Sequence, residues 1–246
     1  MIFHIPHSST NIPWEYRSLF SLSDKELEHE LLLMTDHFTD DLFSTATGSN
    51  DVVLRFPVSR LLVDPERFPD DAEEEMSKVG MGAIYTRTQA GDPLKDGNVK
   101  REELLSRYFT PHHQVFTTLV TEALNHRGEA LIVDCHSFPR FALPYELNQK
   151  PDRPQVCIGV DSFHTPQRLI DTLSNEFSAH GLTVDINMPF IGAIVPLDFY
   201  QKVPDVMSVM IEIRRDIYMD ESTGEQSDEF PFIQEVVRRA VAALRI

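Results

Sequence analysis

The 246 residues carry 39 Asp and Glu against 22 Lys and Arg, a formal net charge of −17. That balance argues against nucleic acid or an anionic membrane as a partner, because both call for clustered Lys and Arg. Hydrophobic content of 41% and charged content of 25% are ordinary for a soluble globular protein, and the length suits a single domain over residues 1–246.

The chain opens on an apolar run, Ile2–Ile5, that reads as a strand leading to Pro6-His7-Ser8-Ser9. Ser23-Asp24-Lys25-Glu26 is a capping box, and the apolar period after it predicts a helix to about Ala46. Further strands are expected at Val52–Phe56, Leu131–Asp134, Val156–Val160, Ile191–Val195 and Val209–Ile213. Helical patterns cover Glu102–His126, Gln167–His180 and Glu229–Leu244. Runs such as Val156–Val160 lack polar alternation, as strands covered on both faces do. The alternation predicts an α/β fold: three layers, α/β/α, around a mixed, mostly parallel central sheet. Two long excursions, Phe56–Asp96 and Ser137–Arg153, are rich in Pro and read as site-forming loops.

Cys135 and Cys157 lie in or beside apolar strand patterns, where buried, reduced thiols are expected. Two cysteines cannot make a zinc ribbon, so a metal would need His and carboxylate ligands. The N-terminal apolar run lacks a basic lead and is broken by His4 and Pro6, and no run is long enough to cross a bilayer. The expectation is a cytoplasmic protein.

The chemistry-bearing residues gather at strand ends. Asp134-Cys135-His136-Ser137 follows Ala130-Leu131-Ile132-Val133 and brings an imidazole to a sheet edge, where α/β proteins place their sites. Asp134, two residues before His136, shares its strand face and is placed to orient a ligand. His7 follows the first strand, while His4 points to another side and is expected to pack. Asp36, inside the first predicted helix among Leu32, Leu33 and Phe43, needs a partner or a metal, and His37 competes for the same role. Glu212 sits in Val209-Met210-Ile211-Glu212-Ile213, where either Arg214 and Arg215 compensate its charge structurally or an apolar wall beside a metal raises the carboxyl toward the range of a general base. Arg60 and Arg67 are rare positive charges in a loop. They read either as a clamp on a substrate carboxylate or as internal partners of Asp64 and the acids of 70–75.

Together these stretches resemble the N-formylglutamate amidohydrolase family: Pro6-His7-Ser8-Ser9, Thr35-Asp36-His37, Ser59-Arg60 through Asp64 and Arg67, Asp134-Cys135-His136-Ser137, and Glu212 with Tyr218-Met219. The resemblance implies a fold similar to zinc-dependent exopeptidases, with Zn2+ on His7, Asp36 and His136 and Glu212 as general base. It further implies Arg60, Arg67 and Ser137 on a small, carboxylate-bearing substrate. The implied activity is hydrolysis of the linear amide of an N-formyl or N-acyl amino acid. A ligand-binding protein on the same scaffold, a metallocarboxypeptidase and a peptidoglycan amidase are the alternatives. One departure is evident: Ile191-Gly192-Ala193-Ile194-Val195-Pro196 places Pro196 where the family resemblance calls for an arginine, and Arg140 is a candidate replacement for that charge.

Overall fold

The computed structural model describes residues 1–95 and 100–245. Among these, six strands form one sheet: β1 (Ile2–Ile5), β2 (Val52–Arg55), β3 (Ala130–Phe138), β4 (Val156–Gly159), β5 (Val184–Ile186) and β6 (Val206–Arg214). The order is β2-β1-β3-β6-β4-β5. The first four run parallel, while β4 is antiparallel to β6 and parallel to β5, so the sheet is mixed and mostly parallel, as expected.

Alternate residues of each strand face opposite layers. Phe3, Ile5, Val133, Cys135, Val209 and Ile211 pack with Leu42 and Phe43 of α2 (Thr39–Ser44), Leu173 of α5 (Gln167–Ala179) and Val237 of α6 (Phe230–Ala242). On the other face Ile2, Ile132 and Val206 meet Phe116 and Val120 of a long helix, Thr110–Arg127. Each of these side chains contributes about 1.5–3 kcal/mol by leaving water, which is why both faces must be covered.

Four expectations need correction. The first helix, α1 (Asp24–Met34), starts at the Ser23 capping box but stops at Thr35, not Ala46; Thr35 is extended and Phe38 takes a left-handed φ of 62°. The Asp36 amide donates to the His7 carbonyl at 3.0 Å, so the helical ladder is traded for a bond to the end of β1. The apolar period resumes in α2, which hides the break from the sequence. The pattern 102–126 is likewise interrupted: a short helix, α3 (Arg101–Leu104), passes through a π-turn at Leu105–Phe109 into α4 (Thr110–Arg127). Pro111 supplies no amide to the ladder there.

Ile191–Val195 is not a strand. Its backbone is satisfied by side chains instead: the Ile194 amide donates to Asp134 at 3.5 Å, and its carbonyl accepts from the Ser208 hydroxyl at 2.7 Å. Finally, β3 runs four residues beyond the expected Asp134 and places His136 within the strand, not after it. The short strand β5 was not anticipated, being three residues long and largely exposed.

The excursion from Phe56 is described through Lys95, and its last expected residue, Asp96, lies outside the described residues. It builds a second core in which Leu61, Leu62, Val63, Ile84 and Tyr85 pack on Tyr16, Phe20, Leu27 and Leu104. Lys95 is buried there. Its ammonium donates to the Tyr85 carbonyl at 2.6 Å and to the Leu61 carbonyl, and lies 5.1 Å from the centre of the Phe20 ring. Burial pulls its pKa down to about 7 from 10.5. Between those values the unfolded chain holds a proton that the fold lacks, so stability rises with pH across that window. Lys95→Met is expected to remove a slope of up to about 1.4 kcal/mol per pH unit. Urea midpoints of the two proteins, taken at both ends of the window, read the difference.

Both cysteines are buried and free. Among the described residues no helix is long and apolar enough to cross a membrane.

Candidate active site

Parallel pairing brings the chemistry together. In the register His4 lies opposite Asp134 and His136 opposite Glu212. The residues with the parity of Ile132, namely Asp134 and His136 on β3 and Ser208 and Glu212 on β6, share the sheet face covered by α4. The break after α1 supplies Asp36, and the excursion supplies Asp64 and Glu66.

Asp36 stands at the centre. One of its carboxylate oxygens, Oδ2, lies 3.1 Å from His136 Nδ1 and 3.7 Å from His7 Nδ1, and accepts from the Ser137 amide at 3.2 Å. The other, Oδ1, faces Arg60 at 3.6 Å and Arg215 at 3.7 Å without a hydrogen bond. Burial opposes ionisation of Asp36, yet His136, His7 and Arg60 hold its carboxyl far below the ordinary carboxylate range.

Each imidazole is gripped from behind by another carboxylate. His7 Nε2 is 2.8 Å from Asp64, and His136 Nε2 is 3.1 Å from both Asp134 and Glu66. A carboxylate thus stands at each Nε2, while on the other side His136 Nδ1 hydrogen-bonds Asp36 and His7 Nδ1 faces it without a hydrogen bond. Asp64 is itself fixed by Arg60 at 3.1 Å and by the Tyr85 hydroxyl, which donates at 2.6 Å. Burial disfavours its charge, but His7, Arg60 and Arg67 keep it well below its usual pKa. His136 is pushed down by burial and up, by a larger amount, by Glu66 and Asp134, ending well above 6.5.

His7, Asp36 and His136 are all buried, and each offers a ligand atom within 4.8 Å of the others. Two imidazoles and a carboxylate, with Asp64, Glu66 and Asp134 behind the rings, form a donor set that fits a dication, whose binding would displace the proton held on His136.

Glu212 is buried and its Oε2 has no hydrogen-bond partner. Burial pushes its carboxyl up to about 8, with Asp36 and Glu66 adding to the shift and the His136 charge opposing it. That value lies near neutrality, where a proton acceptor works well.

The remaining sequence candidates fall as follows. His37 hydrogen-bonds the Leu32 carbonyl at 3.2 Å and stands outside the His7–Asp36–His136 group. His4 packs as expected, stacked on Phe116 with ring centres 4.8 Å apart, and it also bonds Asp134 at 2.9 Å. Arg60 pairs with Asp64 at 3.1 Å, donates to the Tyr85 hydroxyl at 3.1 Å and faces Asp36 at 3.6 Å. Arg67 keeps a looser contact, with Nε 3.8 Å from Asp64 and no hydrogen bond at that atom, and lines a cavity of about 300 Å3. Pro196 lines the same cavity. Arg140 pairs with Asp216 at 3.5 Å and is mostly exposed. Sequence reading did not single out Asp64 as the brace of His7, nor Glu66 or Tyr85, nor Arg215 as a neighbour of Asp36. All four act across long sequence separations, and only Asp64, three residues before Arg67, carried a local hint.

Comparison with known proteins places the fold and the family. The structure resembles the crystal structure of N-formylglutamate amidohydrolase from Ralstonia eutropha JMP134, with a TM-score of 0.86 and 23% identity over 99% of this chain and 91% of that one. It also resembles the gene product Atu2144 of Agrobacterium tumefaciens, with a TM-score of 0.64 and 21% identity over 100% and 91% of the two chains. Among curated proteins no match is found. At these identities the two structures establish the fold alone. The family follows from the sequence, because a model of the N-formylglutamate amidohydrolase family matches residues 1–219 and so takes in every residue of the site from His7 to Glu212; this chain belongs to that family of amide hydrolases.

Proposed function

We propose that the protein is a metal-dependent hydrolase that cleaves the linear amide of an N-acyl amino acid, releasing the carboxylic acid and the free amino acid. The observation that carries this reading is the pair of Nδ1 atoms aimed at Asp36, each imidazole held at Nε2 by a buried carboxylate. His7, Asp36 and His136 would hold the metal, and the set of two imidazoles and one carboxylate suits Zn2+. A bound dication supplies Lewis acidity toward the amide carbonyl and toward water.

The chain's own groups do the rest. Glu212 takes a proton from the attacking water at Oε2 and returns it to the nitrogen of the leaving amine. Arg67 binds a non-reacting carboxylate of the substrate, so that binding energy becomes orientation. With the metal bound, Asp64 and Asp134 would take the Nε2 protons of His7 and His136 and so leave Nδ1 to the metal. Ser137 steadies Asp36 through its backbone amide, a different part from the substrate contact that the sequence resemblance implies.

Metal analysis of the purified protein, before and after chelation, tests the reading. About one zinc per chain is expected, with loss of hydrolysis on chelation, recovery on adding zinc back, and little metal in His136→Ala. Zinc far below one per chain that does not change in His136→Ala would overturn it.

A further inference from the structure

The cavity beside the proposed centre carries information about the substrate. Glu66 joins the two, since it lines the cavity and its Oε2 is 3.1 Å from His136 Nε2. The segment that tethers Ile194 to Asp134 forms another wall. Most of the lining is apolar, with Phe68, Phe109, Val195, Pro196 and Leu197 among it. Among the described residues Arg67 is the one Lys or Arg in the lining, and Glu66 and Asp198 are its acids.

An N-acyl amino acid brings an α-carboxylate and a side chain. One guanidinium, already sharing its charge with Asp64, serves one carboxylate. A second carboxylate on the side chain would leave water for apolar walls and for the neighbourhood of Glu66 and Asp198, an unfavourable transfer without a partner cation. An apolar side chain gains from the same walls. The volume, about 300 Å3, is at the low end for small-molecule sites and has room for one amino acid rather than a peptide strand or a glycan.

We infer that the substrates are N-formyl or short N-acyl amino acids with an apolar side chain, seated with the α-carboxylate on Arg67 and the side chain against Phe68, Phe109 and the Val195–Leu197 wall. This rests on the amide-hydrolase reading above and narrows it.

The test compares kcat/KM for N-formyl-leucine, N-formyl-phenylalanine and N-formylglutamate on zinc-loaded protein. At least a tenfold preference for the apolar pair is expected. Leu197 is 60% exposed, so Leu197→Arg adds a cation at the cavity edge without burying it; it should raise N-formylglutamate turnover severalfold and erode the preference. N-formylglutamate turned over equally well or better by the unaltered protein would overturn the pocket assignment, while its turnover would still uphold the hydrolase. Equilibrium binding of the same compounds to zinc-loaded Glu212→Gln protein reads the pocket without turnover. Tighter N-formyl-leucine supports the assignment even if no compound is hydrolysed, and tighter N-formylglutamate overturns it.

Discussion

Glu212→Gln is expected to keep its metal and lose roughly 10²–10⁴-fold in turnover, the range attributed to a positioned proton acceptor. The amide has the shape of the carboxyl but takes no proton from water. The fold should tolerate it, because burial beside Asp36 and Glu66 already pushes the native carboxyl to about 8, leaving it largely neutral near pH 7 in metal-free protein. The sign can be followed with pH. A folded pKa raised from 4.5 to about 8 means that metal-free native protein loses stability as pH climbs through that window. The Gln variant should lack that loss, so its melting temperature should exceed the native value most at the alkaline end. A metal content that falls with activity would make Glu212 a ligand and remove it from the role of base.

Asp64→Asn should have the second large effect, on metal and fold together. Asp64 accepts from Arg60, from the Tyr85 hydroxyl and from the Glu66 amide at 2.9 Å, and holds His7 at Nε2. Removing one charge from a buried ion pair costs about 3–5 kcal/mol, because the guanidinium stays behind. An asparagine can also turn its NH2 toward His7 Nε2, which selects the tautomer carrying its proton on Nδ1. Loss of such a brace lowers metal affinity by about 10–100-fold. Competition with a metal-binding dye measures the affinity, and urea denaturation the stability. The native carboxyl titrates below 3.8, so its contribution is full above that pH and disappears on acidification, and the two proteins should converge in stability in acid. Unchanged metal affinity would detach Asp64 from the centre.

The parts of this fold that could be read from sequence are those whose side-chain pattern and backbone agree. β1, β4 and β6 are buried apolar runs, and their strand ends carried His7 and Glu212 into view. The failures come where side chains take over backbone bonding. Ile191–Val195 has strand-like composition, but Asp134 and Ser208 satisfy its amide and carbonyl from across the fold. The α1 break is invisible because Phe38, Leu42 and Phe43 continue the apolar period through it, while the His7 carbonyl takes the Asp36 amide. Asp36 stood out because a carboxylate among apolar neighbours calls for a partner, although it sits in that break and not on a helix face. Asp64, Glu66 and Tyr85 belong to an excursion whose course depends on its own small core, and no local pattern ties them to His7 or His136.

The pairing of β3 with β6 makes chemistry an all-or-none report on correct folding. All nine residues of β3, from Ala130 to Phe138, have a partner in β6, and that alignment alone sets His136 beside Glu212. A slip by one residue turns every side chain of the moving strand to the opposite face. Glu212 would then enter the layer occupied by Val236, Val237 and Ile233, and Ile211 or Ile213 would stand where the proton acceptor belongs. Such a chain has no weakened site, only a missing one, and an unpaired carboxylate in the helical layer penalises the mistake. A preparation refolded to partial yield should therefore behave as a mixture of fully competent and inert molecules, with unchanged KM and a kcat that scales with the competent fraction.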